Sequence, residues 1–562
     1  FPSLAEALAE ASFRSRSNPF LVELDRDQRV RELDFREFRR QAARCAVALQ
    51  RRGLEPGDRL ALLLANGPEW LIAAYAGLQL GAVLVPLDAR LDPPGQAAIL
   101  AHSGAKHLVS DGPVWRRLAP LLEAPLKTTL VVRPLETLEE PAQDWDQALP
   151  AELTPEEVAL EPSGARTRQD LAAIVYSSGT SGRPKGCLLS HENYLRQLQA
   201  LATAFPLEED DVYLSILPSN HAIDFMCGFL VPLLCGARVV HLRTLRPEWI
   251  VDALKSERVT HLSAVPALLS AIERKLRERL SGLDRVPAAG FRGLRRLNEL
   301  LTEGRPRPWL SRALLQPIHD SLGGRLRTIF AGGAPVPQET VRYLYGLGIP
   351  VAIGYGQTEA GTVITVNRLD PFRAETVGPP LEGLEVKIHE PDLEGRGEVW
   401  VRGPNVFLGY LDDPEQSAEV LTPEGWLKTG DLGVFDSTGH LRLVGRAKHM
   451  VVTPGGKNVY PEEIEAKLGP SEGSKLEAEE LAVLPSHAIW PSAPGEDEGL
   501  ILVLRPRSGV EPAELLSEFG RRNRRLPAYL RLAGALVRQR AFPRTTSLKL
   551  KRHELAAELR DH

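Results

Sequence analysis

The chain has few cysteines and no long apolar run. Its four cysteines, Cys45, Cys187, Cys227 and Cys235, have neither CxxC spacing nor histidines placed for a zinc site. This pattern favours reduced thiols in a cytoplasmic protein over a disulfide framework. The longest apolar stretch, residues 225–240, contains two glycines and a proline, so it predicts a buried helix entering a strand rather than a membrane span.

The chain also lacks a strong net charge. Its 68 basic and 73 acidic residues give a formal charge of −5, which argues against a nucleic-acid partner held by bulk charge. Hydrophobic residues at 43% and charged residues at 25% are ordinary for globular proteins. A chain of 562 residues is too long for one core, so several packed units are expected.

Amphipathic helices alternate with short apolar strands through much of the chain. Residues 34–50 carry apolar side chains at the three-and-four spacing of a helix, and residues 55–66 predict a turn and a buried strand. This alternation predicts an α/β fold with doubly wound subdomains and largely parallel sheets. Residues 377–401 are turn-rich and strand-like, which indicates a small antiparallel or barrel-like unit. We predict a large domain over residues 1–445 and a small α+β domain over residues 446–562.

A segment rich in glycine and hydroxyl groups, YSSGTSGRPKG, follows the apolar strand LAAIVY. Glycines let backbone N–H groups converge on an anion, and the hydroxyls and the lysine add donors and charge. The spacing differs from the GxxxxGK[ST] phosphate loop, and a flexible linker is the alternative. The candidate phosphate-binding residues are Ser177, Ser178, Gly179, Thr180, Ser181, Gly182 and Lys185.

A second segment of this kind is GYGQTEAG at residues 354–361, with a hydroxyl at Thr358 and a carboxylate at Glu359. A carboxylate beside a phosphate site would be repelled unless a cation lay between them. We therefore expect Mg²⁺, which takes carboxylate and phosphate oxygens together, with Glu359 as its ligand. AGGAP at residues 331–335 is another tight glycine turn after an apolar run.

Two stretches are unusually basic. Residues 281–308 are rich in arginine, which indicates a solvated surface helix or, alternatively, a patch that contacts acidic lipid headgroups at a membrane surface. Residues 519–552 contain eleven Lys or Arg and no acidic residue, which indicates either an anionic ligand or a solvated face.

Five segments together resemble the adenylate-forming superfamily, which includes acyl-CoA synthetases, aryl-CoA ligases, peptide-synthetase adenylation domains and luciferases. They are, in order, YSSGTSGRPKG, GYGQTE, WLKTGD, GRAKH and LKLKR. The resemblance extends from about residue 33 to Arg552. It implies that ATP activates a carboxylic acid as an acyl-adenylate, that pyrophosphate is released, and that CoA then accepts the acyl group.

The resemblance also implies nucleotide-binding roles. Residues 177–185 would bind the β- and γ-phosphates, Thr358 the α-phosphate and Asp431 both ribose hydroxyls. Arg446 would face ribose or phosphate. Gly332, Gly333 and Ala334 would lie along the adenine. Tyr355 would stack on it, and Gly356 is a further nucleotide-binding candidate.

Other implied roles concern the acid and the second half-reaction. Lys549 would reach from the small domain to the acyl carboxylate and the α-phosphate, and Lys448 would lie at the hinge on which that mobile domain rotates. Lys457 would contact CoA, although a surface lysine is the alternative. His221, in LPSNHAIDF, would border the acid, although a core histidine is the alternative.

The acid and the acceptor are less sharply indicated. Leu548 stands where the superfamily usually has glycine, which is similar to the long-chain fatty acyl-CoA synthetases, and we expect a medium- or long-chain fatty acid. The segment after Glu465 departs from the usual pattern and weakens the expectation for CoA. The alternatives are a ligase that loads an acyl carrier protein, a ligase for an aryl or other acid, and a scaffold without activity.

Overall fold

A computed structural model describes residues 1–26, 28–154, 166–177, 185–243, 246–281, 288–452, 458–469, 478–490, 499–507, 509–527, 530–544 and 550–560. The strands of the first part are β1 (Pro19–Asp25), β2 (Gln28–Asp34), β3 (Arg59–Leu63), β4 (Val83–Pro86), β5 (His107–Asp111), β6 (Thr128–Val132), β7 (Ala142–Asp144), β8 (Leu171–Ser177), β9 (Lys185–Ser190), β10 (Val212–Ser215), β11 (Arg238–Leu242), β12 (His261–Ala264), β13 (Thr328–Ala331), β14 (Val351–Tyr355) and β15 (Thr365–Val366). The later strands are β16 (Glu385–His389), β17 (Gly397–Arg402), β18 (Leu427–Phe435), β19 (Leu441–Arg446), β20 (Val451–Val452), β21 (Asn458–Val459), β22 (Ala478–Pro485), β23 (Leu500–Pro506) and β24 (Gly534–Val537).

Helices connect most of these strands. The α-helices of the described part are α1 (Leu4–Arg14), α2 (Phe35–Gln50), α3 (Pro68–Gln79), α4 (Pro93–Ser103), α5 (Gly112–Leu118), α6 (Trp145–Ala148), α7 (His191–Ala204), α8 (Ala222–Asp224), α9 (Val231–Cys235), α10 (Pro247–Ser256), α11 (Pro266–Ser281), α12 (Ala288–Leu301), α13 (Pro308–Leu314), α14 (Gln316–Ser321), α15 (Gln338–Gly346), α16 (Pro414–Val420), α17 (Pro461–Leu468), α18 (Ser486–Ile489), α19 (Pro512–Arg525) and α20 (Arg552–Arg560). A π-helical turn (Phe225–Leu230) joins α8 to α9, and 3₁₀ turns occupy Ala119–Leu121, Thr358–Ala360 and Ala447–His449.

Two large sheets form the body of the protein. One has the strand order β7-β6-β5-β3-β4-β8-β9, and the other has the order β15-β14-β13-β12-β10-β11-β1-β2. Their strands pair in parallel, except for β8 with β9, β1 with β2 and β14 with β15. The predicted α/β class with largely parallel sheets is confirmed. In such sheets ligands bind beyond the carboxyl ends of the strands, which is where the glycine-containing turns after β13 and β14 lie.

Aromatic packing joins the two halves of this body. The predicted helix at residues 34–50 is confirmed as α2, which Asp34 caps by accepting from the Glu37 backbone N–H. The indole of Trp70, on α3, is fully buried. It lies edge-on to Phe225, with ring centres 5.8 Å apart. The apolar stretch after residue 225 is therefore a buried helix that enters β11, as predicted, although its first turn is π-helical.

The later strands form smaller sheets. The turn-rich region gives an antiparallel meander in the order β16-β17-β18-β19. Farther along, β22 pairs antiparallel and β24 pairs parallel with β23, so the C-terminal part is α+β, as predicted. Its buried side chains form their own cluster around β23. The exact boundary at residue 446 stays a prediction.

A buried charge cluster holds the start of α20. The Arg552 guanidinium donates to both carboxylate oxygens of Glu465, at 2.7 and 2.9 Å, and to the Val483 carbonyl at 2.9 Å. A bidentate pair fixes a guanidinium in direction as well as in position. The chain just after the predicted catalytic lysine is therefore anchored to the small domain.

Within the part of the chain that the structure describes, no helix combines the length and the apolar character needed to cross a bilayer.

Candidate nucleotide and acid site

Two glycine turns leave the same sheet edge side by side. Strands β13 and β14 are parallel neighbours, so the segments after Ala331 and after Tyr355 emerge together at their carboxyl ends. The approach is close, because a Cβ on Gly332 would lie 2.7 Å from the Gly354 carbonyl oxygen. Gly333 has a φ of +81°, which favours glycine. The sequence could not show that these two segments, far apart in the chain, touch each other.

Three predicted nucleotide-binding residues meet at this edge. The Tyr355 hydroxyl donates to Asp431 Oδ2 at 2.9 Å, and Arg446 Nε lies 2.8 Å from Asp431 Oδ1. Asp431 and Arg446 are directly opposed in the β18–β19 pair, which places their side chains on one face of the antiparallel sheet. An aromatic ring, a carboxylate and a guanidinium thus lie together, which suits the base, the sugar and a phosphate of one nucleotide.

Burial keeps the hydroxyl of Tyr355 a donor. Burial, and next to it the negative charge of Asp431, raises the pKa of Tyr355 well above its ordinary value. The phenol therefore stays protonated and holds the Asp431 carboxylate in place. A carboxylate has about four lone-pair sites, so Asp431 can still accept from further hydroxyl groups.

A second constellation surrounds Glu359, in the 3₁₀ turn Thr358–Ala360. The Tyr410 hydroxyl donates to Glu359 Oε1 at 3.0 Å. The Lys185 ammonium lies 5.2 Å from the centre of the Tyr410 ring. Burial raises the pKa of Tyr410, with the Glu359 charge adding to the effect, so this phenol also remains a donor.

Tyr410 is a site residue that the sequence analysis missed. Residues 408–411 run beside β9: Leu188 N donates to Gly409 O at 3.0 Å, and Leu411 N donates to Gly186 O at 2.8 Å. This pairing brings Tyr410 next to Lys185. The available signal was the GY dipeptide in FLGYLDDPE, a glycine and an aromatic residue that carries a hydroxyl, just before a polar turn.

The surroundings of Glu359 fit a metal ion that arrives with a phosphate ligand. Among the described residues, no group of three or more His, Cys, Asp or Glu side chains is placed to hold an ion. Mg²⁺ often binds through one or two carboxylates together with substrate phosphates. The single carboxylate of Glu359 fits this kind of binding, in which the ion takes most of its other ligands from the substrate and water.

His221 lies at the carboxyl end of β10, at the start of α8. It is half-exposed, with Nε2 3.9 Å from Asp88 Oδ2. Two residues on, Ile223 Cδ1 would lie 3.9 Å from a Cβ on Gly333. The short helix after His221 therefore faces the glycine turn predicted to lie along the adenine. His221 thus lies two residues before the side chain that approaches this turn.

A buried carboxyl group anchors the loop that carries His221. Asp224 is 1% exposed, and its Oδ2 accepts from Ser215 Oγ at 2.8 Å and from Ser219 Oγ at 3.1 Å. Its Oδ1 has no hydrogen-bond partner among the described residues. Burial raises the pKa of Asp224 to about 7. The sequence analysis did not predict this role, because an aspartate in LPSNHAIDF gives no sign of being buried.

The other predicted residues divide into two groups. Ser177 and Lys185 are opposed across the β8–β9 pair and thus flank the phosphate-loop segment. Ala334 follows the glycine turn of residues 332–333, and Lys448 is exposed in the 3₁₀ turn Ala447–His449. The predicted residues that lie outside the described part of the chain are Ser178, Gly179, Thr180, Ser181, Gly182, Lys457 and Lys549.

The sequence and the fold of this chain are both similar to those of known proteins. The profile of the family described as AMP-binding enzyme matches residues 9–411. Feruloyl-CoA synthase from Amycolatopsis sp is 31% identical over 443 residues, which are 78% of each chain. The long-chain-fatty-acid–CoA ligase heimdall from Drosophila melanogaster is 29% identical over 468 residues, which are 77% of this chain and 67% of that one. The ATP-bound crystal structure of MatB from Rhodopseudomonas palustris is 25% identical, with a TM-score of 0.75 and 99% of both chains covered.

The substitution Asp224→Asn should stabilise the protein increasingly as pH rises. The native pKa of Asp224, near 7, lies above the ordinary value of about 3.9. Between these two pH values the native state binds more protons than the unfolded state, so the wild-type protein loses stability as the pH rises. An asparagine removes that loss. We expect the stability difference between variant and wild type to shift in favour of the variant by on the order of 2 kcal/mol between pH 5 and pH 8. Urea unfolding at several pH values measures it.

The matched control is Asp146→Asn, which alters an exposed carboxylate. Its stability difference should be independent of pH over the same range. A difference for Asp224→Asn that is equally flat would show that this carboxyl group is ionised throughout.

The substitution Gly356→Ala should weaken nucleotide binding. A Cβ at this position would lie 2.0 Å from the Thr362 carbonyl oxygen, so the turn after Tyr355 would have to move. Overpacking of this kind costs about 1–3 kcal/mol, and we expect the AMP affinity measured by calorimetry to fall about tenfold or more.

The control for Gly356→Ala is Gly354→Ala, two residues earlier and on β14. Its added Cβ would come no closer than 4.0 Å to the Thr365 carbonyl oxygen, an ordinary contact. Equal AMP affinities in the two variants would contradict the tight packing of this turn.

Proposed function

This chain belongs to the AMP-binding enzyme family and is an AMP-forming acyl-CoA synthetase, and we propose that its acid substrate is a medium- or long-chain fatty acid. In the first half-reaction the acid's carboxylate attacks the α-phosphate of ATP, an acyl-adenylate forms and pyrophosphate leaves. In the second, the thiol of CoA attacks the acyl carbonyl, a thioester forms and AMP leaves.

The single observation that carries adenylation is the meeting of Tyr355, Asp431 and Arg446. The Tyr355 ring would stack on adenine, the Asp431 carboxylate would accept from the ribose hydroxyls, and the Arg446 guanidinium would face ribose or phosphate. The contacts among the three, 2.9 and 2.8 Å, hold the carboxylate in position before a nucleotide binds. A preorganised carboxylate loses little entropy on binding, which favours affinity.

Lys185 and Glu359 would serve the phosphates from opposite sides of Tyr410. The Lys185 ammonium would offset phosphate charge, and the Glu359 carboxylate would help to hold the Mg²⁺ that binds with ATP, whose charge would offset that of the phosphates. The Tyr410 hydroxyl, which donates to Glu359 at 3.0 Å, would keep this carboxylate directed toward the metal. Thr358 would contact the α-phosphate, and residues 177–182 would complete the phosphate loop.

Lys549 would provide the charge that the first half-reaction needs. A carboxylate attacking a phosphate brings two anions together, and a fixed ammonium offsets charge that develops in the transition state. The anchoring of Arg552 by Glu465 and Val483 supports this role, because it fixes the chain three residues beyond the lysine. Rotation at Lys448 would then exchange Lys549 for the segment with Lys457, which would contact CoA.

Apolar side chains beside His221 support a fatty acid. Phe225 and Met226, which follow α8, are buried, and Ile223 lies against the glycine turn. Ile223 is partly exposed, so an alkyl chain that passed His221 would meet this apolar side chain. The similarity to a ligase named for long-chain fatty acids agrees with this substrate.

An aryl acid is the second candidate, because the feruloyl-CoA synthase is similar over 78% of both chains. The thiol of an acyl carrier protein is the alternative acceptor to CoA, since residues 519–552 would present a basic face to an acidic carrier. We also propose a cytoplasmic location, because all four cysteines are free thiols.

The substitution Lys549→Ala should abolish most of the first half-reaction. Loss of such a charge typically lowers the rate by on the order of 10²- to 10³-fold. The measurement is exchange of labelled pyrophosphate into ATP, with acids from acetate to palmitate and two aryl acids. We expect exchange to be highest with a fatty acid of medium or long chain.

The matched control is Lys551→Ala, which removes an exposed lysine paired with Glu554 at 2.7 Å and should exchange like wild type. Highest exchange with an aryl acid would establish the second candidate. No exchange with any acid would overturn the proposed substrate classes, and equal losses in the two variants would overturn the role of Lys549.

A further inference from the structure

The inner side of helix α12 combines the apolar Phe291 and Leu294, which pack against the core, with polar side chains. Asn298 is fully buried, donates to the Gly346 carbonyl at 3.1 Å and accepts from Ser311 Oγ at 2.8 Å. Thr302, one turn on, is 3% exposed, and its hydroxyl donates to the Asn298 carbonyl at 2.7 Å. Polar side chains thus form much of the inner contact of this helix with α13 and α15.

The outward face of the same helix is apolar. Leu297, Leu300 and Leu301 are 42%, 67% and 43% exposed. Their spacing places them on one side of a helix, where such leucines normally face a core. Trp309, at the start of α13, is 70% exposed. Large apolar side chains grouped in this way indicate a surface that is covered by a partner.

The charge around this face is positive. Residues 288–314 contain six arginines and two glutamates, although the whole chain has a net charge of −5. Arg305 pairs with Asp370, but Arg296, Arg307 and Arg312 have no carboxylate within ion-pair distance in the described part of the chain. Their charge is therefore available to an anionic partner.

We propose that this leucine face, formed by Leu297, Leu300 and Leu301 with its flanking arginines, binds the surface of an anionic lipid bilayer. Leucines would enter the boundary between headgroups and acyl chains, arginines would contact lipid phosphates, and tryptophan is common at that depth. A second copy of the chain would bring like charge against like charge. Nucleic acid would leave the leucines exposed. The contact does not depend on the acid, although its use in collecting a lipid-dissolved acid rests on the proposed function.

The test is flotation of the full chain with vesicles, in the absence of ATP and acid. Vesicles of equal parts phosphatidylglycerol and phosphatidylcholine should bind the protein, and pure phosphatidylcholine vesicles should bind it more weakly. Binding should fall as salt is added, because the arginine contribution is screened. The double variant Leu297→Glu/Leu300→Glu should bind at least about tenfold more weakly, since it loses apolar burial and adds negative charge.

The control is Leu393→Glu, which changes a fully exposed leucine elsewhere and should bind like wild type. Pyrophosphate exchange and the melting temperature of each variant show that it is folded. Absence of binding to the anionic vesicles, or equal binding by the double variant, would overturn the proposal. So would a dimer in solution that the leucine changes dissociate, because the face would then belong to a second copy.

Discussion

The contact of Asp431 with Arg446 and Tyr355 is the interaction on which the site depends. Tyr355 ends β14 of a large sheet, whereas Asp431 and Arg446 lie opposite each other on the antiparallel meander. Two separate sheets are therefore linked by one buried carboxylate. Because the contact lies where β19 leads into the C-terminal part, the same residues that would bind ribose also mark the start of the predicted hinge.

Backbone geometry fixes the positions of other residues of the candidate site. The strands β13 and β14 deliver two glycine turns to one edge, and contacts of Gly332 with the Gly354 carbonyl leave no room for a side chain. The pairing of residues 408–411 with β9 brings Tyr410 between Lys185 and Glu359. These functional side chains are thus fixed by strand pairing, which is more rigid than a free loop.

Much of this site could be predicted from sequence, because the motifs containing Tyr355, Glu359 and Asp431 have a distinctive spacing. The alternation of helix and strand likewise predicts the α/β class. Local sequence patterns do not show contacts between distant segments. Tyr410 was therefore not predicted, because its position depends on the pairing of residues 408–411 with β9. The burial of Asp224 was also not predicted, because its enclosure depends on how the segment after β10 packs against the π-helical turn. The outward direction of Leu297, Leu300 and Leu301 on α12 was likewise not predicted, because residues 281–308 were interpreted only from their arginine content.

The most direct test of the central contact is a double-mutant cycle on AMP affinity, with Tyr355→Phe, Asp431→Asn and the double variant measured by calorimetry. If the hydroxyl positions the carboxylate for ribose, removal of either group should abolish much of the benefit of the other. We predict a coupling free energy of about 1 kcal/mol or more. Strictly additive effects would show that Tyr355 and Asp431 act independently and would contradict the account.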